Sequence, residues 1–281
     1  AYTGMQIYDV AGELYLDEDA LLGDLEVAPA IYVGEQHETP PIHELQLWLL
    51  ERVTAQDGFV ALAMEHFQAD EQDVVDGYLA GNRSVSQLIS LGDAWPDFED
   101  HWLPLVDHMR SQGLDVIATN VPEEALDTVY ANGLSSPLAF VNTWDTSSTW
   151  DADLPPRQIR AWDATYQAYF ETGFDYANHG QNWGLTYQQA LDYFSDLAVI
   201  RDHTMAYHLA MHAQDTGDRI YFVGGDWHVQ TGLATPDLAA HWNSDLADYV
   251  LVTTTPRAGF ETLRTAVFEG RAYADYILIY E

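Results

Sequence analysis

Ile31-Tyr32-Val33-Gly34-Glu35-Gln36-His37 is a short apolar run that stops at a glycine and delivers a carboxylate and an imidazole within three residues. Such a run reads as a buried strand whose C-terminal end presents chemistry. The pattern recurs far downstream in Arg219-Ile220-Tyr221-Phe222-Val223-Gly224-Gly225-Asp226-Trp227-His228, so Gly34-x-x-His37 and Gly225-x-x-His228 form a matched pair. In open α/β sheets the strand C-termini line the ligand crevice, and two such ends can converge on one pocket.

Further elements extend outward from these two runs. Residues 5–17 suggest a small hairpin before the first of them. Behind Pro40-Pro41, apolar positions 42, 45, 49 and 53 recur at helical spacing and complete a βα unit. A second apolar run, Phe59 to Met64, ends in Glu65-His66-Phe67, and a third, Leu114 to Thr119, ends in Asn120-Val121-Pro122. Residues 69–112 carry mainly helical patterns broken near Gly92 and Pro96. A Thr, Ser, Asp and Trp-rich stretch from Asn142 to Pro156 reads as a surface loop or hinge, and an aromatic-rich segment and a long helix at Tyr187 to Gln214 follow it. Strands are expected near residues 30–34, 59–64, 114–119, 219–223, 249–254 and 273–280, with a helix near 236–243. The fold class is therefore α/β, a mainly parallel central sheet flanked by helices. The whole chain, 1–281, reads as one domain with helical cap segments at about 69–112 and 155–200.

Composition narrows the function classes. A hydrophobic share of 47%, with 13% aromatic, excludes a disordered chain, and no run reaches the roughly 18 apolar residues of a membrane span. The formal charge is −35, and all ten basic residues are arginine. Such a surface repels nucleic acid phosphate and anionic lipid, so neither is an expected partner. It serves either as a solvated acidic shell or as a weak collector of cations. The absence of cysteine excludes disulfides, thiolate metal sites and cysteine nucleophiles. A start at Ala1, with no apolar signal segment, suits a mature exported protein or a trimmed chain.

Glu35, His37, Glu65, Asn120 and His228 are expected to share one pocket. Two imidazoles and two carboxylates suit a borderline divalent cation, so Glu35, His37, Glu65 and His228 are the candidate metal ligands. The same four are the candidate catalytic residues, because a Glu held near a His can act as a general base on water without metal. A hydrogen-bonded polar cluster with a purely structural role is the competing reading. His228 follows its strand rather than lying within the packed run, so its loss is expected to spare the fold. His208 and His212, four apart on a helix, lack the intervening Glu of a zinc-protease helix and are read as structural. Arg201 is expected to pair with a pocket carboxylate.

With those residues in view, the chain resembles the ChaN-like haem-binding uptake family, grouped with Tiki, TraB and erythromycin-esterase-like proteins. The resemblance runs through Gly34-Glu35-Gln36-His37, Met64-Glu65-His66-Phe67-Gln68, Gly77-Tyr78-Leu79-Ala80-Gly81 and Val116-Ile117-Ala118-Thr119-Asn120-Val121-Pro122. It continues in Arg201-Asp202-His203-Thr204-Met205-Ala206 and Gly225-Asp226-Trp227-His228. His66 departs from it, placing an imidazole where the family usually has an apolar residue.

The resemblance implies a haem-binding protein exported to the cell envelope or periplasm, in this family often as a lipoprotein anchored in its precursor, and linked to iron or haem acquisition. A homodimer is a possible assembly. Its alternatives are a Tiki-like metal-dependent hydrolase of peptide or ester bonds, and a metal-binding protein without haem. Haem iron takes an axial ligand from His, Tyr, Met or Cys. Tyr166, Tyr169, Tyr176, His179 and Tyr193 are the candidates in the aromatic segment, with Trp162, Phe170 and Trp183 as porphyrin contacts. Ordinary cap packing is the rival explanation for these aromatics.

Overall fold

A computed structural model describes residues 4–37, 39–56, 59–131, 133, 136–141, 153–155 and 163–281. Its strands are β1 (Gln6–Asp9), β2 (Leu14–Leu16), β3 (Ala30–Glu35), β4 (Val60–Gln68), β5 (Val116–Asn120), β6 (Arg219–Gly225), β7 (Val250–Pro256), β8 (Val267–Phe268), β9 (Arg271–Ala272) and β10 (Tyr276–Tyr280). Eight of them form one sheet in the order β2-β1-β10-β7-β3-β6-β4-β5, and β8 pairs with β9 apart from it. The run from β10 to β5 is parallel, while β1 pairs antiparallel with both β2 and β10. The expected α/β architecture is therefore present, with the expected N-terminal hairpin at one edge.

The central strands carry continuous apolar runs because both faces of the sheet are covered. Side chains alternate between faces, and each face has its own core. Ile31, Val33, Leu62, Met64, Tyr221 and Val223 pack with Leu45 and Leu49 of helix Pro40–Gln56 and with Val106 and Met109 of helix Leu103–Gln112. On the other face, Tyr32, Ala61, Ala63, Ile220 and Phe222 meet Met205, Ala206, Leu209 and Ala210 of helix Tyr187–Thr216. Ala61 and Ala63 leave room there for a 30-residue helix to cross the sheet closely. Its N-terminus is set by Thr186, which accepts from the Gln189 backbone N–H while the Gln189 side chain returns to the Thr186 backbone. At the far end Gly217, at φ +80°, provides the left-handed residue that stops it.

Several strand boundaries shift by one to three residues from expectation, and one shifts further with consequences for the site. β4 does not end at Met64 but runs to Gln68, so Glu65 and His66 are strand residues and alternation sends them to opposite faces. Segment 72–112 covers the first face as short helices. Helices Ala164–Glu171 and Tyr176–His179 lie beside helix Tyr187–Thr216. Most of the expected loop, 142–152 and 156, lies outside the described residues. Among those described, no helix is long and apolar enough to cross a membrane.

Candidate functional site

Strand order places the chemistry. β6 lies between β3 and β4, in a register that puts Glu35 opposite Gly225 and Val223 opposite Met64. The C-terminal ends of three adjacent parallel strands thus bring Glu35, Gly225 and Glu65 side by side. The two glycines leave little room for side chains, Gly224 most of all, where a Cβ would come within 2.7 Å of the Phe222 ring. A Cβ on Gly224 would stand 3.0 Å from Glu65 Oε2, and one on Gly225 would stand 3.2 Å from His37 Nε2 and 3.5 Å from Glu65 Oε2. His37 and Glu65 therefore face each other across a floor of bare backbone.

Glu35 follows Ile31 and Val33 in the alternation and turns to the first core, where it is buried. Its Oε1 lies 2.8 Å from His37 Nδ1 and 2.9 Å from His66 Nε2. Gln46 Nε2 donates to Oε2 at 2.7 Å, and Trp102 Nε1 lies 3.1 Å from both oxygens. Burial alone would raise this carboxyl, but attraction to His66 and the hydrogen bonds from His37, His66 and Gln46 prevail and hold it well below its ordinary range. The His37 side chain is 41% exposed. Burial lowers its pKa, and the bond to Glu35 with the charges of Glu65 and Glu35 more than compensates, leaving it raised.

Glu65 turns to the other face and builds a second chain of contacts. It accepts the Gly225 N–H at 2.7 Å and pairs with His228 Nε2 at 3.4 Å. His228 Nδ1 lies 2.6 Å from Asp202 Oδ1, which also accepts from Thr235 Oγ1 at 3.0 Å, and Tyr166 O–H donates to Asp202 Oδ2. Burial works against charge on both partners of the Glu65–His228 pair, yet their attraction, with the Asp202 and Gly225 contacts, brings Glu65 down to about 2 and His228 up to about 10. His228 is thus an imidazolium held between two buried carboxylates. This placement, which the sequence did not indicate, argues that loss of His228 weakens the fold.

Two cavities adjoin the strand ends. One, of about 340 Å³, is walled by Tyr130, Tyr166, Tyr169, Phe170, Phe174, Phe194 and Trp227 and reaches Asp202, His228 and Arg201. Gly173 packs flat on Trp227, since a Cβ there would fall 1.7 Å from the indole. The other, of about 390 Å³, is lined by Glu65, His66, Trp95 and Asn120 at its base, by Asp93, Glu123 and Asp127, and again by Tyr130 and Arg201.

Glu35, His37, Glu65, Asn120 and His228 all lie toward the C-terminal edge of the sheet, but they do not share one of these two cavities: Glu65 and Asn120 line the second, His228 lines the first, Glu35 and His37 line neither, and the two carboxylates divide between the faces. Among the described residues, the side chains at this edge whose ligand atoms lie within 4.8 Å of one another are Glu35, His37 and His66. Glu65 and His228 are engaged with each other. His66, noted in the sequence only as a departure, is thus a direct partner of Glu35. Of the tyrosines singled out, Tyr166 and Tyr169 line the aromatic cavity. Tyr176 instead donates to the Leu185 carbonyl, and Tyr193 packs among Trp183 and Phe194 outside the cavity lining. The His179 side chain and Trp162 lie outside the described residues. Arg201 forms no ion pair among the described residues, contrary to its expected pairing. His208 contacts the Asp153 carbonyl at 2.7 Å, and His212 contacts Asp218 at 3.1 Å, as structural histidines do. Asp202 and Tyr130 had not been singled out. For Asp202 the available signal was its place in Arg201-Asp202-His203; Tyr130 had none.

Over the whole chain the fold is similar to the solved structure of ChaN of Campylobacter jejuni, described as binding heme cofacially. That match has a TM-score of 0.64 at 15% identity and covers 100% of this chain and 98% of that one. The type III effector HopBA1 is similar in fold at a TM-score of 0.52 and 12% identity, covering 94% and 92%. In sequence, 114 residues are 29% identical to the chloroplastic protein RETICULATA-RELATED 5 of Arabidopsis thaliana, a match covering 38% of this chain and 16% of that longer protein. Residues 21–238, which hold both Glu35 and His228 with everything between them, match the family described as haem-binding uptake, Tiki superfamily, ChaN, and the chain belongs to that family.

Proposed function

We propose that the protein binds haem in the aromatic cavity beside Trp227 and His228, just past the end of β6, as an exported cell-envelope component of iron or haem acquisition. In this reading the sheet and both cap segments act as one domain. The observation that carries it is the cavity itself, a cleft of about 340 Å³ faced by seven aromatic rings. Its volume is near the lower end of the roughly 300–1,000 Å³ usual for small-ligand sites. A porphyrin would be only partly enclosed by a cleft of this size.

The residues fit the group. Flat aromatic walls suit a macrocycle face, and haem supplies an iron that takes a phenolate or imidazole ligand. Tyr166 is tied to Asp202, and its phenol is pushed well above its ordinary pKa by burial and by that carboxylate. Tyr169 is likewise raised by burial. Tyr130 lines the cavity, is 36% exposed and makes no hydrogen bond to a described residue, so it is the phenol free to turn to iron. Tyr130→Phe should shift or abolish the Soret band that develops on haem titration, whereas Tyr176→Phe should leave it unchanged. An unaltered band in Tyr130→Phe would remove Tyr130 from this role.

A second reading, a metal-dependent hydrolase, is favoured by one observation, the close group of Glu35, His37 and His66. These would hold a divalent cation, which would polarise a carbonyl or acidify a bound water. Without a cation, the contact between Nδ1 and Glu35 would orient the His37 ring with Nε2 toward Gly225, where it could take a proton from water; with a cation bound, His37 would serve as a ligand instead. Stoichiometric metal with ester or peptide turnover, and no Soret change on haem addition, would favour this reading over haem binding.

A further inference from the structure

Ten arginines face forty-five carboxylates in this chain, so an arginine without a partner needs an explanation. Arg52, Arg83, Arg264 and Arg271 pair with Glu18, Asp73, Glu261 and Asp237. Arg219 donates to the Leu25 and Ala28 carbonyls, Arg257 donates to Gln6, and Arg110 lies over the Tyr78 ring. Arg201 alone among the described arginines has no such contact. It is half-buried on helix Tyr187–Thr216 and forms part of the wall of both cavities. Asp93, Glu123 and Asp127 line the second cavity with it, yet none of them is bonded to it.

We propose that Arg201 binds an anionic oxygen group of the ligand, so that the site selects aromatic acids: a flat apolar body in the aromatic cavity and a carboxylate at the seam between the two cavities. The proposal rests on the reading that the aromatic cavity is the ligand site, and it adds the ligand's charge. Three features support it. A guanidinium presents a planar fork of donors that matches a carboxylate in two parallel bonds. The protein's overall field repels anions, so a site for an acid requires a local cation, and among the described residues Arg201 is the arginine in these walls. The carboxylates across the second cavity repel an acid group that passes beyond Arg201, which sets the ligand's direction.

The test uses two matched pairs of probes, each an acid and its neutral counterpart: 1-pyrenebutyrate with 1-pyrenebutanol, followed by fluorescence, and haemin with its dimethyl ester, followed by absorbance. Wild type, Arg201→Gln and Arg201→Lys are titrated at one fixed salt concentration. Wild type is expected to prefer each acid by about tenfold or more, the range of a charge-assisted hydrogen bond. Arg201→Gln should lose that preference by weakening for the acid while holding the neutral probe within about twofold, and Arg201→Lys should keep part of it. A preference that persists in Arg201→Gln overturns the assignment, as does a wild type that binds neither pair or binds both members equally. Expected behaviour toward the pyrenes without haemin binding would leave Arg201 in its role and remove haem as the ligand.

Discussion

His228→Ala should lower the unfolding free energy by about 3–5 kcal/mol, the cost of removing one partner from a buried ion pair. The imidazolium is 15% exposed and stands between Glu65 and Asp202, both nearly inaccessible, so its removal leaves two buried carboxylates facing each other without a cation. The pH dependence has a definite sign. His228 is raised from 6.5 to about 10, so its contribution is complete below 6.5 and is lost as pH rises through about 10. Glu65 is lowered from 4.5 to about 2, so its contribution is complete above 4.5 and is lost as pH falls toward 2. Wild type and His228→Ala should therefore differ most between 4.5 and 6.5 and converge above 10. Urea denaturation at several pH values measures this. A difference below about 1 kcal/mol throughout, in the range of exposed pairs, would show that the buried network contributes no more than a surface ion pair.

Glu35→Ala should be comparably severe, about 3–5 kcal/mol, for a different reason: it orphans several donors at once. Gln46 Nε2 and Trp102 Nε1 both end on this carboxylate inside the core, and His66 is fully buried against it. Water cannot replace the lost acceptor unless the packing around Trp102, itself 1% exposed, opens. Pairing the change with Trp102→Phe removes one orphaned donor and should recover part of the loss. Full stability in Glu35→Ala, read from chemical denaturation, would mean that these donors find other partners. Any divalent cation bound at Glu35, His37 and His66 should be lost from the same variant.

The fold was legible because each sheet strand that matters is an apolar run closed by polar residues, and because both faces are covered. The same runs located Glu35, His37, Glu65 and His228, since a strand end in a parallel sheet is an address in space as well as in sequence. Three things were not legible. β4 extends past Met64, so the adjacent Glu65 and His66 serve opposite faces; no spacing rule marks where a strand stops when its last residues are charged yet buried. Asp202 meets His228 because a 30-residue helix crosses the sheet at one angle, and its partner is 26 residues away in sequence. Tyr130 and Tyr176 are similar as residues in a sequence. One lines the cavity and the other caps the Leu185 carbonyl through a tertiary arrangement that periodicity does not encode.

The most direct test of the central claim, that the ligand occupies the aromatic cavity, is haem titration of Ala198→Trp beside wild type. Ala198 lines that cavity on helix Tyr187–Thr216 and is only partly buried, so an indole there fills the cleft without entering the sheet core. Wild type should develop a saturable Soret band, and Ala198→Trp should develop none while keeping the wild-type circular dichroism spectrum and thermal midpoint. A Soret band of unchanged amplitude and affinity in folded Ala198→Trp would contradict the account, because haem would then be bound elsewhere.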